Sequence, residues 1–196
     1  MEKIDKTPEI QTFYPKTKND WRNWLQEHHQ SKTGIWVILY KKNSGKPTIS
    51  WSESVDEALC FGWIDSIKKS LDEERSIQFF SKRKPKSTWS KINKEKIKVL
   101  TENNLITKAG LESIEIAQQN GSWTILDEVE NLTIPKDLEW ALKNNSGAEE
   151  NFYKLSKTKK KGMLQWLVLA KRPETREKRI SEIAFLASQK QKPKQF

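Results

Sequence analysis

The sequence is poor in the residues that carry the best-defined protein chemistries. It has one cysteine, Cys60, which excludes an intramolecular disulfide and any Cys-x-x-Cys zinc or redox motif. Its only two histidines, His28 and His29, exclude a His-rich metal site. No apolar run approaches the roughly 18 residues that a membrane-spanning helix needs; the longest lies around residues 164–170. The opening stretch, MEKIDKTPEIQTF, has no apolar core of the signal-peptide type. These absences lead us to expect a cytoplasmic protein without a membrane span, using neither metal nor cofactor.

What is present is aromatic and charged. Nine tryptophans and seven phenylalanines offset a hydrophobic fraction of only 35%, because each aromatic ring buries a large area. At 196 residues the chain is long enough to bury a core without covalent staples. The net charge of +10 is unevenly placed. Residues 82–98 hold eight basic side chains against one acidic, 99–153 three against ten, and 154–196 thirteen against three. Such blocks are usually solvated faces that partly offset one another. They also leave room for an anionic partner.

Periodicity and turn chemistry give an α+β reading: a small antiparallel sheet of about three strands packed by helices, followed by a C-terminal helical module. We divide the chain into an irregular arm (1–18), an α+β core (19–125), helices (126–190) that form a module or pack on the core, and a frayed tail (191–196). Asn19 or Asp20 caps a helix whose inward stripe is Trp21, Trp24, Leu25 and His28. Residues 35–40 read as a buried strand, and Ser50 with Glu53 forms a capping box opening a second helix that Gly62 stops. Residues 63–71 and 76–82 form a hairpin with its tip at Asp72-Glu73-Glu74-Arg75. Ser87 or Thr88 then begins a helix with Trp89, Ile92, Lys96 and Val99 or Leu100 along one stripe, and Thr107 begins another. Pro135 suits a first helical position, and Pro173 restarts the chain before a stripe of Ile180, Ile183, Ala184 and Ala187.

The central strings Gly34-Ile35-Trp36-Val37, Glu57-Ala58-Leu59-Cys60-Phe61-Gly62-Trp63-Ile64-Asp65, Lys86-Ser87-Thr88-Trp89-Ser90-Lys91-Ile92-Asn93 and Ala109-Gly110 occur in that order. In this order they resemble the YdeI/OmpD-associated, or bacteriocin-protection, family. Phe152, Leu155, Trp166, Ala170-Lys171 and the string from Thr175 to Ile180 are similar to that family's C-terminal helical module. The resemblance spans roughly residues 20 to 188. It departs at Lys108, where the family often has proline, and at Lys82-Arg83, where an arginine pair is common. It implies a stress or antimicrobial-protection role and brings no settled activity with it.

Several residues are candidates for chemistry. Cys60 sits at a helix C-terminus, where the dipole disfavours a thiolate, so it reads as structural. His28 lies on the tryptophan stripe and His29 faces elsewhere; either would serve as a base to Cys60 only if the fold joined them. Asp65 shares a strand face with Trp63, where it would orient a polar ligand, pair with Arg83, or tie the hairpin to residues 87–93. The basic run at Lys82-Arg83-Lys84, followed by Ser87, Trp89 and Ser90 at a helix start, suits a small anion. The expected ligand site is therefore Trp63, Asp65, Arg83, Ser87, Trp89 and Ser90, in a protein that is not an enzyme. One alternative is nucleic-acid association through Lys157, Lys159, Lys160, Lys161, Arg176, Lys178 and Arg179. Another is an enzyme using Asp65 as general acid or base.

Overall fold

A computed structural model describes residues 11–196, so the first part of the expected arm lies outside the described residues. The chain forms two compact units. The first comprises the described residues up to Ser87 together with Ile92–Asn120, and the second Thr88–Lys91 with Gly121–Phe196.

The first unit is built on a four-stranded sheet in the order β1-β2-β4-β3. Strand β2 (Gly34–Tyr40) buries Ile35, Val37 and Leu39 and leaves the intervening side chains half-exposed, the period-2 pattern of a sheet covered on one face. It pairs antiparallel with β4 (Arg75–Lys82), which pairs antiparallel with β3 (Trp63–Ser70). The sheet differs from expectation at its other edge. β1 (Thr12–Phe13) lies parallel to β2, with Thr12 opposite Trp36, so the sheet is mixed and has four strands. A two-residue strand shows no periodicity, and a parallel partner lies far away in sequence.

Helix α1 (Lys18–His28) starts one turn earlier than Asp20. Thr17 is the cap, and Asp20 returns the bond as the third helical residue, completing a capping box. Its buried Trp21 stacks on Trp24 and tilts against Phe80 of β4, while Trp24 meets Trp63 edge-on. Helix α2 (Trp51–Cys60) has the expected box, Ser50 and Glu53. Trp21 Nε1 donates to the Ser54 carbonyl at 2.9 Å, tying α1 to α2.

Helix α3 (Lys91–Glu102) begins later than expected, and the reason is local. Ser87 sits in a turn, its amide bonded to the Lys84 carbonyl, and Trp89 precedes the helix. The buried face of α3 is Ile97 and Leu100; Ile92 and Val99 are 61% and 55% exposed. Lys96 reaches Asp56 of α2 at 2.5 Å. Helix α4 (Lys108–Gln119), capped by Thr107, completes the unit.

The second unit is helical: α5 (Asp127–Glu130), α6 (Lys136–Lys143), α7 (Ala148–Tyr153), α8 (Lys157–Val168) and α9 (Pro173–Ser188). Their apolar faces converge on Leu138, Leu142, Phe152, Met163, Leu164 and Ile183. Pro135 caps α6 from just outside it, one position before the expected one. Trp89 belongs here, fully buried with its ring 4.9 Å from Trp123. The last residues, expected to fray, instead set Phe196 edge-on against Trp166. Among the described residues, no helix is long and apolar enough to cross a membrane.

Candidate functional site

The α2–β3 corner and the start of α4 border a concave surface of the first unit. Gly62 holds φ 70°, a left-handed turn that favours glycine, and redirects the chain from Cys60 into Trp63. The first turn of α4 lies directly on this corner. A Cβ on Gly110 would sit 2.4 Å from the Cys60 carbonyl oxygen, and one on Gly62 would sit 2.9 Å from that of Ala109. The Cys60 carbonyl also accepts the Thr107 amide at 3.0 Å and the Thr107 hydroxyl at 2.7 Å. Two of the strings noted in the sequence, Cys60-Phe61-Gly62-Trp63 and Ala109-Gly110, therefore meet backbone to backbone.

Beside this contact lie two adjoining concavities of about 330 and 500 Å³, which share His29, Gln30, Phe61, Ala109 and Glu112. The first adds Trp63, Lys82 and Arg83 among its walls, and the second adds Arg22, Thr107 and Lys108. The end of α1 is anchored to the sheet at this point. Trp63 Nε1 donates to the His29 carbonyl at 3.2 Å, and Lys82 Nζ donates to the Gln30 carbonyl at 2.6 Å. The Arg83 amide donates to the Gly62 carbonyl at 2.9 Å, which fixes the β4 end beside the corner.

The groove is predominantly cationic. Arg22, Lys82, Arg83 and Lys108 line it, against the single carboxylate of Glu112. Arg22 is partly committed elsewhere: with Lys18 it clamps the buried Glu57 carboxylate, at 2.7 and 3.2 Å. Burial pulls the Arg83 guanidinium down to about 10, with Asp65 opposing the shift, so it remains cationic at neutral pH. The Cys60 thiol is pushed up to about 11, by burial first and by Glu57 second. It is fully buried and protonated at neutral pH, as a structural cysteine should be.

His29 has a defined tautomer. Its Nδ1 lies 2.8 Å from the Leu25 carbonyl oxygen, and a carbonyl has no proton to give, so Nδ1 is the donor. The ring packs on Phe61 at 5.2 Å. His28 packs on Trp24 instead, at 4.9 Å.

Of the expected ligand residues, Trp63 and Arg83 line the groove, whereas Asp65 and Ser87 do not. The indole that Asp65 meets is not that of Trp63. Its Oδ2 accepts from Trp51 Nε1 at 2.8 Å and from Gln78 Nε2 at 3.3 Å, linking α2 to the hairpin. Trp89 and Ser90 belong to the second unit. The groove's other wall, from Thr107 through Ser113, was not anticipated. One signal for it was available: a glycine in the first turn of a helix costs about 1 kcal/mol relative to alanine, so Gly110 marks a close approach.

The basic residues considered for nucleic acid are largely engaged within the second unit. Arg176 grips Asp137 through two nitrogens at 2.7 and 3.0 Å, and Lys161 pairs with Glu130 at 2.5 Å. Arg179 lies over the Trp166 ring at 4.7 Å and donates to the Trp166 carbonyl, while Lys160 donates to the Tyr153 carbonyl. Lys157, Lys159 and Lys178 are exposed. Among the described residues, no group of three or more His, Cys, Asp or Glu is placed to hold a metal ion.

The first unit is thus a small mixed sheet packed by helices, and the second a helical module. Residues 13–113 match a family described as a domain of unknown function (DUF8412). That match covers more than half of the 196 residues, and the chain belongs to this family. Residues 131–190 match the family described as bacteriocin-protection, YdeI or OmpD-associated, which establishes the resemblance for the C-terminal segment. The central string 57–65 falls within the other match. No curated protein and no solved structure matches the chain.

Proposed function

We propose that the first unit binds a small anionic ligand in the groove between the α2–β3 corner and α4. The observation that supports this reading is the wall formed by Lys82 and Arg83 at the end of β4, opposed by only one groove carboxylate, Glu112. A concavity of about 330 Å³ opening onto one of about 500 Å³ suits a small molecule better than a polymer. Arg83, largely withdrawn from water, gains from an anion that it would not attract as strongly at an open surface. Phe61 and Trp63 supply apolar walls. We place this activity in the cytoplasm and, from the description attached to residues 131–190, in a stress or antimicrobial-protection role.

Titration calorimetry with a panel of small phosphates and carboxylates tests the reading. Saturable binding in the wild type should weaken at least about tenfold in Lys82→Gln/Arg83→Met, the loss of one or two charge-assisted hydrogen bonds. Lys82→Gln alone, at an exposed position, should weaken it in the same direction. Absence of saturable binding by any anion of the panel would overturn the proposal.

A further inference from the structure

We infer that the groove takes an anion that also carries a hydroxyl or similar hydrogen-bond donor, and that His29 is the residue that selects it. This inference rests on the anion-binding reading above and sharpens the class of ligand.

The argument starts from the imidazole. Nδ1 is committed as a donor to the Leu25 carbonyl at 2.8 Å, the same oxygen that accepts the His29 backbone amide at 2.8 Å. In the neutral ring Nε2 then holds a lone pair and no proton. Among the described residues, Nε2 has no hydrogen-bond partner. The ring is half-buried, held against Phe61, and it borders both concavities. An anion by itself has nothing to offer such a nitrogen, because two acceptors do not bond. A ligand with a donor beside its charge satisfies both parts of the groove, the anionic end at Lys82 and Arg83 and the donor at Nε2.

The other polar groups of the groove agree with this division. Glu112 is the one carboxylate, and it borders both concavities, where it accepts further hydroxyls. The remaining cations, Arg22 and Lys108, lie on the second concavity; Arg22 is tied to Glu57 and the Leu105 carbonyl, and Lys108 pairs with Glu112 at 3.9 Å. The strongest concentration of charge therefore stays at the β4 end. A hydroxylated carboxylate or hydroxylated phosphate monoester fits better than the same anion without its hydroxyl.

Matched ligand pairs test this directly at pH 8: glycerol 3-phosphate against propyl phosphate, and lactate against propionate. The pairs differ only in hydroxyls, and the two arms separate phosphate from carboxylate recognition. The wild type should bind the hydroxylated member about three- to tenfold more tightly, the worth of one hydrogen bond. His29→Phe should abolish that preference, read as the ratio of the two affinities within the same variant. His29→Gln, which keeps an acceptor, should retain part of the preference. Imidazole ¹⁵N resonances of the unaltered protein give a reading that needs no variant: Nε2 of His29 should respond to glycerol 3-phosphate and not to propyl phosphate. Equal binding of both members by the wild type would overturn this inference while leaving anion binding intact. Failure of both members to bind would overturn both.

Discussion

Gly110→Ala should destabilise the first unit by about 2 kcal/mol, although in most helices the same change stabilises by about 1 kcal/mol. Gly110 lies in the first turn of α4 with ordinary helical φ, so backbone freedom is not the reason for glycine there. The reason is space. A methyl carbon would sit 2.4 Å from the Cys60 carbonyl oxygen, 2.9 Å from Ile106 Cγ2 and 3.0 Å from the Cys60 carbonyl carbon. Carbon and oxygen come no closer than about 3.3 Å even in attractive C–H···O contacts, so the two backbones must separate by roughly 1 Å. Neither can yield cheaply, because the nearest atom is the main-chain carbonyl oxygen of Cys60. That separation stretches both bonds from Thr107 to the Cys60 carbonyl, now 3.0 and 2.7 Å, beyond useful range. Losing two bonds at about 1 kcal/mol each, with overpacking of about 1–3 kcal/mol, outweighs the helix-propensity gain and leaves a net loss of about 2 kcal/mol or more. Urea unfolding followed by circular dichroism measures it, with the rate of Cys60 alkylation as a reporter confined to the first unit. A Gly110→Ala protein as stable as the wild type, with Cys60 no more reactive, would refute the close-contact argument.

Three further outcomes follow from the same geometry. Glu57→Gln should cost about 2–3 kcal/mol in urea unfolding, because Arg22 and Lys18 lose the charge they clamp; the figure is reduced from that of a wholly buried pair since Lys18 is 43% exposed. An unchanged midpoint would show that the clamp contributes nothing. Acid should destabilise the fold. Hydrogen bonds from the Ser50 side chain and backbone hold Glu53 below its ordinary 4.5, and Arg176 holds Asp137 below 3.8. Each contributes stability that is present above the unfolded value and lost as the pH falls through the lower folded one, so midpoints should drop below about pH 4.5; a midpoint that rises there contradicts the pairings. At pH 8 the native Cys60 thiol should alkylate at least about 100-fold more slowly than in the unfolded chain, given its burial and a value near 11. Equal rates would mean that α2 is open at its C-terminus.

The parts of the fold legible in the sequence are those set by chemistry within a few residues. Ser50 and Glu53 form their capping box because serine and glutamate three positions apart satisfy each other locally. The hairpin is readable for a similar reason, the acidic tip at Asp72 bonding the Glu74 and Arg75 amides. Features decided by distant partners were not readable. β1 exists because β2 offers it an edge, and residues 87–90 stay out of α3 because Ser87 enters a turn and Trp89 is drawn to Trp123. At the site, Trp63 and Arg83 border the groove, but the indole that Asp65 meets is that of Trp51 and not Trp63. Strand alternation puts Trp63 beside it, whereas Trp51 reaches it across the sheet from α2. In the sequence His29 is a candidate only as a base to Cys60, because its place beside the groove depends on where α1 ends, a position secured by Trp63 and Lys82.

The most direct test of the groove as a binding site is a backbone amide chemical-shift titration with glycerol 3-phosphate. Saturating shifts should map to Phe61, Gly62, Trp63, Arg83, Ala109 and Ser113, which border the first concavity, and should disappear in Lys82→Gln/Arg83→Met. Shifts confined to the exposed lysines Lys157, Lys159 and Lys178 of the second unit, or no saturable shifts at all, would contradict the account.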